Sequence, residues 1–187
     1  GMGSEAHFAR EMPLVPRHDL PAASDEMPKV GAVLEGRYRI VGELGSGGVG
    51  CVYRAEHVTL GHHVALKVLR PSFVNHEQFR PRFEREARVL ASLAHPHVVS
   101  WTDFSFSNGT PYLVMELLDG RALREEIAKG PMDPPRARSI VRQILTTLAA
   151  THKRGFVHRD LKPDNVFLLS LPRDPDFVKL LDFGFVK

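Results

Sequence analysis

"HRDLKPDN", residues 158–165, and "VKLLDFG", residues 178–184, decide how this chain is read. Taken alone, the first is a polar loop. An imidazole, a guanidinium, two carboxylates, an ammonium and an amide crowd together, and Pro163 interrupts any helix. In the second, Val178, Leu180, Leu181 and Phe183 bracket one carboxylate, Asp182, and Gly184 follows. That pattern predicts a short buried strand that delivers Asp182 to what looks like a metal-binding turn.

Upstream, Gly45-Ser46-Gly47-Gly48-Val49-Gly50-Cys51-Val52-Tyr53 carries the spacing G-x-G-x-x-G. A dinucleotide-binding fold needs those glycines between a strand and a helix. Here they lead into Val52-Tyr53-Arg54-Ala55, a strand pattern with no helix start. The glycines therefore sit at the tip of a hairpin, where backbone N–H groups can approach phosphate oxygens without intervening side chains. Lys67 stands in the otherwise apolar run Val64–Leu69, and Glu86 lies beside a helical stripe of Phe83 and Leu90. A carboxylate at a core edge is costly unless paired, so Lys67 and Glu86 are expected partners.

The remaining elements follow from periodicity and breakers. Tyr38–Glu43 and Cys51–Ala55 alternate as the two hairpin strands. Val64–Leu69 is a third strand entered from Leu60-Gly61, and strands near 98–106 and 112–116 are joined by Ser107-Asn108-Gly109. Between them, Phe79, Phe83, Ala87, Leu90 and Ala94 recur at helical spacing, with Pro81 in the first turn and Pro96 ending the helix. Asp133 is expected to cap a second helix that begins at Pro134, presents Ile140, Val141, Ile144, Leu145 and Leu148, and closes at Lys153-Arg154-Gly155. Strands with one helix, then mostly helix, predict an α+β architecture in two lobes.

Composition fits this reading. Of 187 residues, 43% are hydrophobic and 25% charged, enough for a real core. A net charge of +3 without a dense basic run gives no reason to expect nucleic acid. No apolar stretch reaches the length of a membrane span, so no membrane contact by this segment is expected. The scattered histidines lack a metal-ligand spacing with partners. The single cysteine, Cys51, rules out a disulfide framework within the chain and makes the cytoplasm the expected compartment. Residues 1–33, with Pro13, Pro16, Pro21 and Pro28 among mixed charges, read as a disordered leader or linker.

Taken together, the glycine loop, Lys67, Glu86, His158–Asn165 and Asp182-Phe183-Gly184 resemble the serine/threonine protein kinase family from about Tyr38 to Lys187. The run "GRYRIVGELGSGGVGCVYRAEH" is most similar to bacterial members. The resemblance implies a first lobe with hinge over 34–118, built on a five-stranded antiparallel sheet and one helix. It implies a partial second lobe over 119–187. It implies ATP with Mg2+, or Mn2+ as the alternative ion, and a protein substrate with a Ser/Thr acceptor. In that family Gly45, Ser46, Gly47, Gly48, Val49 and Gly50 match the loop over the phosphates, and Lys67 matches the lysine that holds them and pairs with Glu86. Asp160 matches the base that takes the substrate hydroxyl proton, Lys162 steadies the γ-phosphate, and Asn165 and Asp182 match the magnesium ligands. Met115 falls at the gatekeeper position, Glu116 and Leu118 would offer backbone hydrogen bonds to adenine, and Val52, Ala65 and Phe167 would sandwich it. Phe167 stands where members often carry leucine, Val49 replaces an aromatic residue, and His97 stands where Asn is frequent.

In the family an activation loop, an Ala-Pro-Glu motif and further helices follow Asp182-Phe183-Gly184. Arg159 often grips a phosphate on that loop. The expectation is therefore a fragment that binds nucleotide at most, with the stripe of the 133–154 helix partly bare and prone to self-association. Two further readings stay open: a pseudokinase-like binding or scaffold module, and a small-molecule phosphotransferase. Lys162-Pro163 in a protein-kinase-type loop weighs against the latter.

Overall fold

The computed structural model describes residues 26–74 and 79–183. Most of the expected leader, residues 1–25, and Gly184 lie outside the described residues. Strands β1 (Val33–Leu34), β2 (Tyr38–Ser46), β3 (Gly50–His57), β4 (His63–Leu69), β5 (Trp101–Ser107) and β6 (Thr110–Glu116) form an antiparallel sheet in the order β1-β2-β3-β4-β6-β5. The five expected strands are present, and β1 adds a sixth. It pairs Val33 with Arg39 and Leu34 with Tyr38, so residues at the end of the expected leader are bonded into the fold.

Alternation sets the faces of β2: Tyr38 and Ile40 are buried, while Arg39 and Val41 are exposed. The β5–β6 turn places Asn108 (φ 48°) and Gly109 (φ 78°) in succession in the left-handed region, which an Asn-Gly pair tolerates. Helix α1 (Phe79–Ala91) lays Phe83, Ala87 and Leu90 into the core and packs against β5, with Phe83 edge-on to Phe104 and Phe106. It ends short of the expected Ala94; the Ser92 hydroxyl donates to the Val89 carbonyl at its last turn.

Below the hinge, β7 (Gly120–Ala122), β8 (Val166–Leu171) and β9 (Asp174–Leu180) form a second sheet in that order, with α2 (Leu123–Ala128) and α3 (Pro134–Lys153) beside it. Asp133 occupies the N-cap of α3, but its side chain makes no capping hydrogen bond, contrary to expectation. Pro134 and Pro135 carry no N–H, so the first turn offers it fewer donors. The apolar stripe also divides. Ile140 is buried, and Ile144 and Leu148 pack on the core, but Val141 and Leu145 are 50% and 61% exposed. Thr147 and Thr151 complete the buried face instead, their hydroxyls donating to the carbonyls of Gln143 and Leu148.

Helix α3 holds β9 through polar bonds. The Gln143 amide donates to the Asp176 carbonyl at 3.0 Å and accepts from the Val178 N–H at 3.0 Å. Nearby, Arg136 donates to the carboxylates of Asp176 (2.7 Å) and Glu126 (2.6 Å), and Arg121 pairs with both at 2.7 and 3.0 Å. Hydrogen bonds from Lys129 and then Arg136 hold the Glu126 carboxyl down from 4.5 to about 2. Its depressed folded pKa means the stabilisation is present above about 4.5 and lost as pH falls toward about 2. Thermal unfolding followed by circular dichroism should show Tm dropping across that window. Glu126→Gln should lower Tm at neutral pH and flatten the drop.

Candidate active site

A cleft of about 480 Å³ opens between the two sheets. Its roof is the β2–β3 loop, where a Cβ on Gly50 would meet the Val68 carbonyl oxygen at 2.1 Å, so packing alone demands that glycine. Gly45, Gly47 and Gly48 differ: a Cβ on each would meet nothing within 4 Å, and none has positive φ. Arg70, just after β4, pins the loop tip. Its guanidinium donates to the Gly47 carbonyl and the Ser46 hydroxyl, both at 3.0 Å, and its backbone N–H to the Val49 carbonyl at 2.9 Å.

The walls collect the other predicted residues. Val52 and Ala65 come from β3 and β4, Met115 and Glu116 from β6, Leu118 from the hinge, and Phe167 from β8. Lys67, Asp160, Lys162, Asn165 and Asp182 line the same cleft. Lys67 Nζ lies 3.0 Å from Asp182 Oδ1, and Lys162 Nζ lies 3.7 Å from Asp160 Oδ2. The Asn165 amide donates to the backbone carbonyl and Oδ2 of Asp160 at 2.9 and 3.1 Å. The Asn165 side-chain carbonyl remains as the atom to offer a cation.

Glu86 is the exception. It lies outside the cleft, beside a second cavity of about 280 Å³ bordered by Arg85, Leu90, Arg159 and Phe183. The expected Lys67–Glu86 pair is not formed. Glu86 pairs with Arg82 at 2.8 Å, one turn back on the same helix, and Lys67 pairs with Asp182. An i,i+4 partner is local and within reach of any helix geometry, whereas Lys67 lies across the fold.

His158, to which the sequence assigned no role of its own, joins the two motif loops. Its exposure is 2%; Nε2–H donates to the Leu181 carbonyl at 2.7 Å, and Nδ1 accepts the Asp160 N–H at 3.2 Å. Burial pushes its pKa down, which favours the neutral ring that this bonding requires. The ring lies 4.5 Å from that of buried Phe183. Arg159 (φ 62°) and Asp182 (φ 47°) both adopt left-handed backbone beside these bonds. Leu44, Val99 and Leu117 also line the cleft, three apolar residues that periodicity could not distinguish from ordinary core.

The sequence model described as protein kinase domain matches residues 38–187. The chain belongs to the protein kinase domain family. Over 155 residues this kinase domain is 44% identical to the serine/threonine-protein kinase pkn2 of Myxococcus xanthus, spanning 83% of this chain and 19% of that protein. It is 39% identical to the serine/threonine-protein kinase PrkC of Bacillus subtilis, over 83% of this chain and 24% of that one. The crystal structure of the Mycobacterium tuberculosis PknI kinase domain superposes with a TM-score of 0.73 at 32% identity, covering 86% of this chain and 64% of that one. The chain thus spans roughly a quarter or less of the length of these curated relatives.

Three substitutions test this geometry. Gly50→Ala should destabilise the kinase domain by roughly 1–3 kcal/mol through backbone overlap, while Gly47→Ala should stay within about 0.5 kcal/mol, both by denaturant unfolding. Glu86→Gln should change stability by no more than about 0.5 kcal/mol, because it removes only a helix-surface ion pair.

Proposed function

We propose that this kinase domain binds ATP in the cleft and supplies the catalytic groups of a serine/threonine protein kinase. The observation that carries the reading is the set of loop glycines that the fold does not need. Neither packing nor backbone conformation requires Gly45, Gly47 or Gly48, yet all three line the cleft. What such positions permit is close approach of a large anion to the loop's N–H groups.

The donor set beside Lys67 suits Mg2+: a carboxylate from Asp182 and an amide oxygen from Asn165, both hard ligands, with phosphate oxygens to complete the shell. When bound, the ion supplies neutralisation of phosphate charge. Lys67 would hold the α- and β-phosphates, and Lys162 would steady the γ-phosphate. Asp160 would orient the acceptor hydroxyl and take its proton while that oxygen bonds the γ-phosphorus and the bond to the β-phosphate oxygen breaks, releasing ADP. The Asn165 amide, bonded to the Asp160 carboxylate at 3.1 Å, keeps that base facing the cleft. The protein acceptor and the cytoplasmic setting belong to the same proposal, and the half-bare α3 face at Val141 and Leu145 supports self-association.

A second reading, a nucleotide-binding regulatory module, is favoured by one observation: Glu86 is bound to Arg82 and Lys67 to Asp182, so the ion pair expected of an active arrangement is absent among the described residues. Calorimetry with a non-hydrolysable ATP analogue separates the roles. Asp160→Asn should bind as wild type, and Asp182→Asn should lose the magnesium-dependent gain in affinity. Magnesium-dependent autophosphorylation that is lost in Asp160→Asn supports the kinase reading, whereas nucleotide binding with no phosphotransfer supports the regulatory module.

A further inference from the structure

We propose that Lys179, which does not line the cleft, is a positioning residue that sets its adenine end through Glu116. This rests on the nucleotide reading above. In β9, Val178 and Leu180 are fully buried, and Lys179 turns to the opposite face. Its side chain is only 12% exposed, and Nζ lies 2.7 Å from Glu116 Oε1 and 3.4 Å from the Val98 carbonyl. An ammonium so enclosed persists only when paired.

The partner is the last residue of β6 and the first of the hinge. The Glu116 carboxylate also accepts the Ser100 N–H at 2.9 Å, and its own N–H donates to the Ser100 carbonyl at 3.1 Å. Glu116 is therefore gripped through side chain and backbone by one short segment, 97–100. That segment is bonded in turn to β9: the Leu180 N–H donates to the His97 carbonyl at 2.8 Å, the Val99 N–H to the Leu180 carbonyl at 3.0 Å, and His97 Nδ1–H to the Val178 carbonyl at 2.7 Å.

One cation thus stands where the hinge, the segment before β5 and the strand leading to Asp182 meet. Glu116, Leu118 and Asp182 all line the cleft. Removing the charge leaves a partly buried carboxylate with one N–H partner and frees the hinge from β9. The loss falls on whatever the hinge backbone holds, not on the phosphates.

The experiment compares adenosine, which has no phosphate, with ATP and Mg2+ by calorimetry on the 187-residue protein. Lys179→Met should weaken both by the same factor, about tenfold, or roughly 1.4 kcal/mol. Lys179→Arg should recover most of the loss. Lys179→Met combined with Glu116→Gln should bind no worse than the single variant, because the partners act as a unit. Amide hydrogen exchange should rise at 98–100 and 115–118 in Lys179→Met without nucleotide. A purely structural lysine would lower Tm while leaving affinity in the folded protein unmoved, and that result overturns the proposal, as does a loss confined to ATP. Wild-type protein that binds neither ligand overturns the nucleotide reading and the positioning role together, whereas wild-type binding with an unaffected Lys179→Met overturns the positioning role alone.

Discussion

The arrangement depends on a neutral imidazole. His158 donates to the Leu181 carbonyl and accepts the Asp160 N–H, so one buried ring fixes the loop that carries Asp160 to the turn that carries Asp182. A second bond, from the Leu181 N–H to the Asn165 carbonyl at 2.9 Å, closes the same junction. These bonds fall beside Arg159 and Asp182, the two non-glycine residues that hold left-handed backbone here. Such conformations cost about 1–3 kcal/mol each and persist only when surrounding contacts enforce them. Protonating the ring would put a second N–H against the Asp160 N–H, so burial and bonding both favour the uncharged form.

That junction would drift without support from below. Strand β9 runs straight into it, and β9 is held to α3 by the Gln143 amide and by the arginines that bracket Asp176 and Glu126. Buried carboxylates with several guanidinium donors are weak stabilisers overall but strong positioners, since losing one partner strands the rest. Asp182, just beyond the end of β9, is therefore anchored by charges at the strand's start.

The sequence reveals the parts whose function forces unusual residues together, and hides those set by partner choice. A glycine run before a strand, a lone lysine in β4 and polar loops beside apolar strands cannot be read as ordinary core, so those parts could be singled out from the residues, whereas Val52, Ala65, Met115, Glu116, Leu118 and Phe167 were named only through the family resemblance. His158 appears in its motif, yet only coordinates show that it joins two loops. Lys179 looks like any solvent-facing strand residue, because alternation gives its face but not what covers it. Val33–Leu34 is too short to carry a period. Thr147 and Thr151 read as polar, although their hydroxyls return to the helix backbone and let them take core positions that Val141 and Leu145 were expected to hold. Glu86 was placed correctly at the edge of its helix; its partner was not, because pairing across the fold competes with a neighbour four residues away.

That competition bears on what the cleft can do. The Arg82–Glu86 pair is an exposed helix pair worth about 0.3–0.5 kcal/mol, so it barely holds Glu86 in place. The restraint lies at the other end, where Lys67 is needed by Asp182. Lys67 can leave that carboxylate only if another cation takes the charge, because two partly enclosed groups would otherwise be left unpaired. A divalent cation held by Asp182 and Asn165 would supply that charge, and Lys67 would then no longer be needed at the carboxylate.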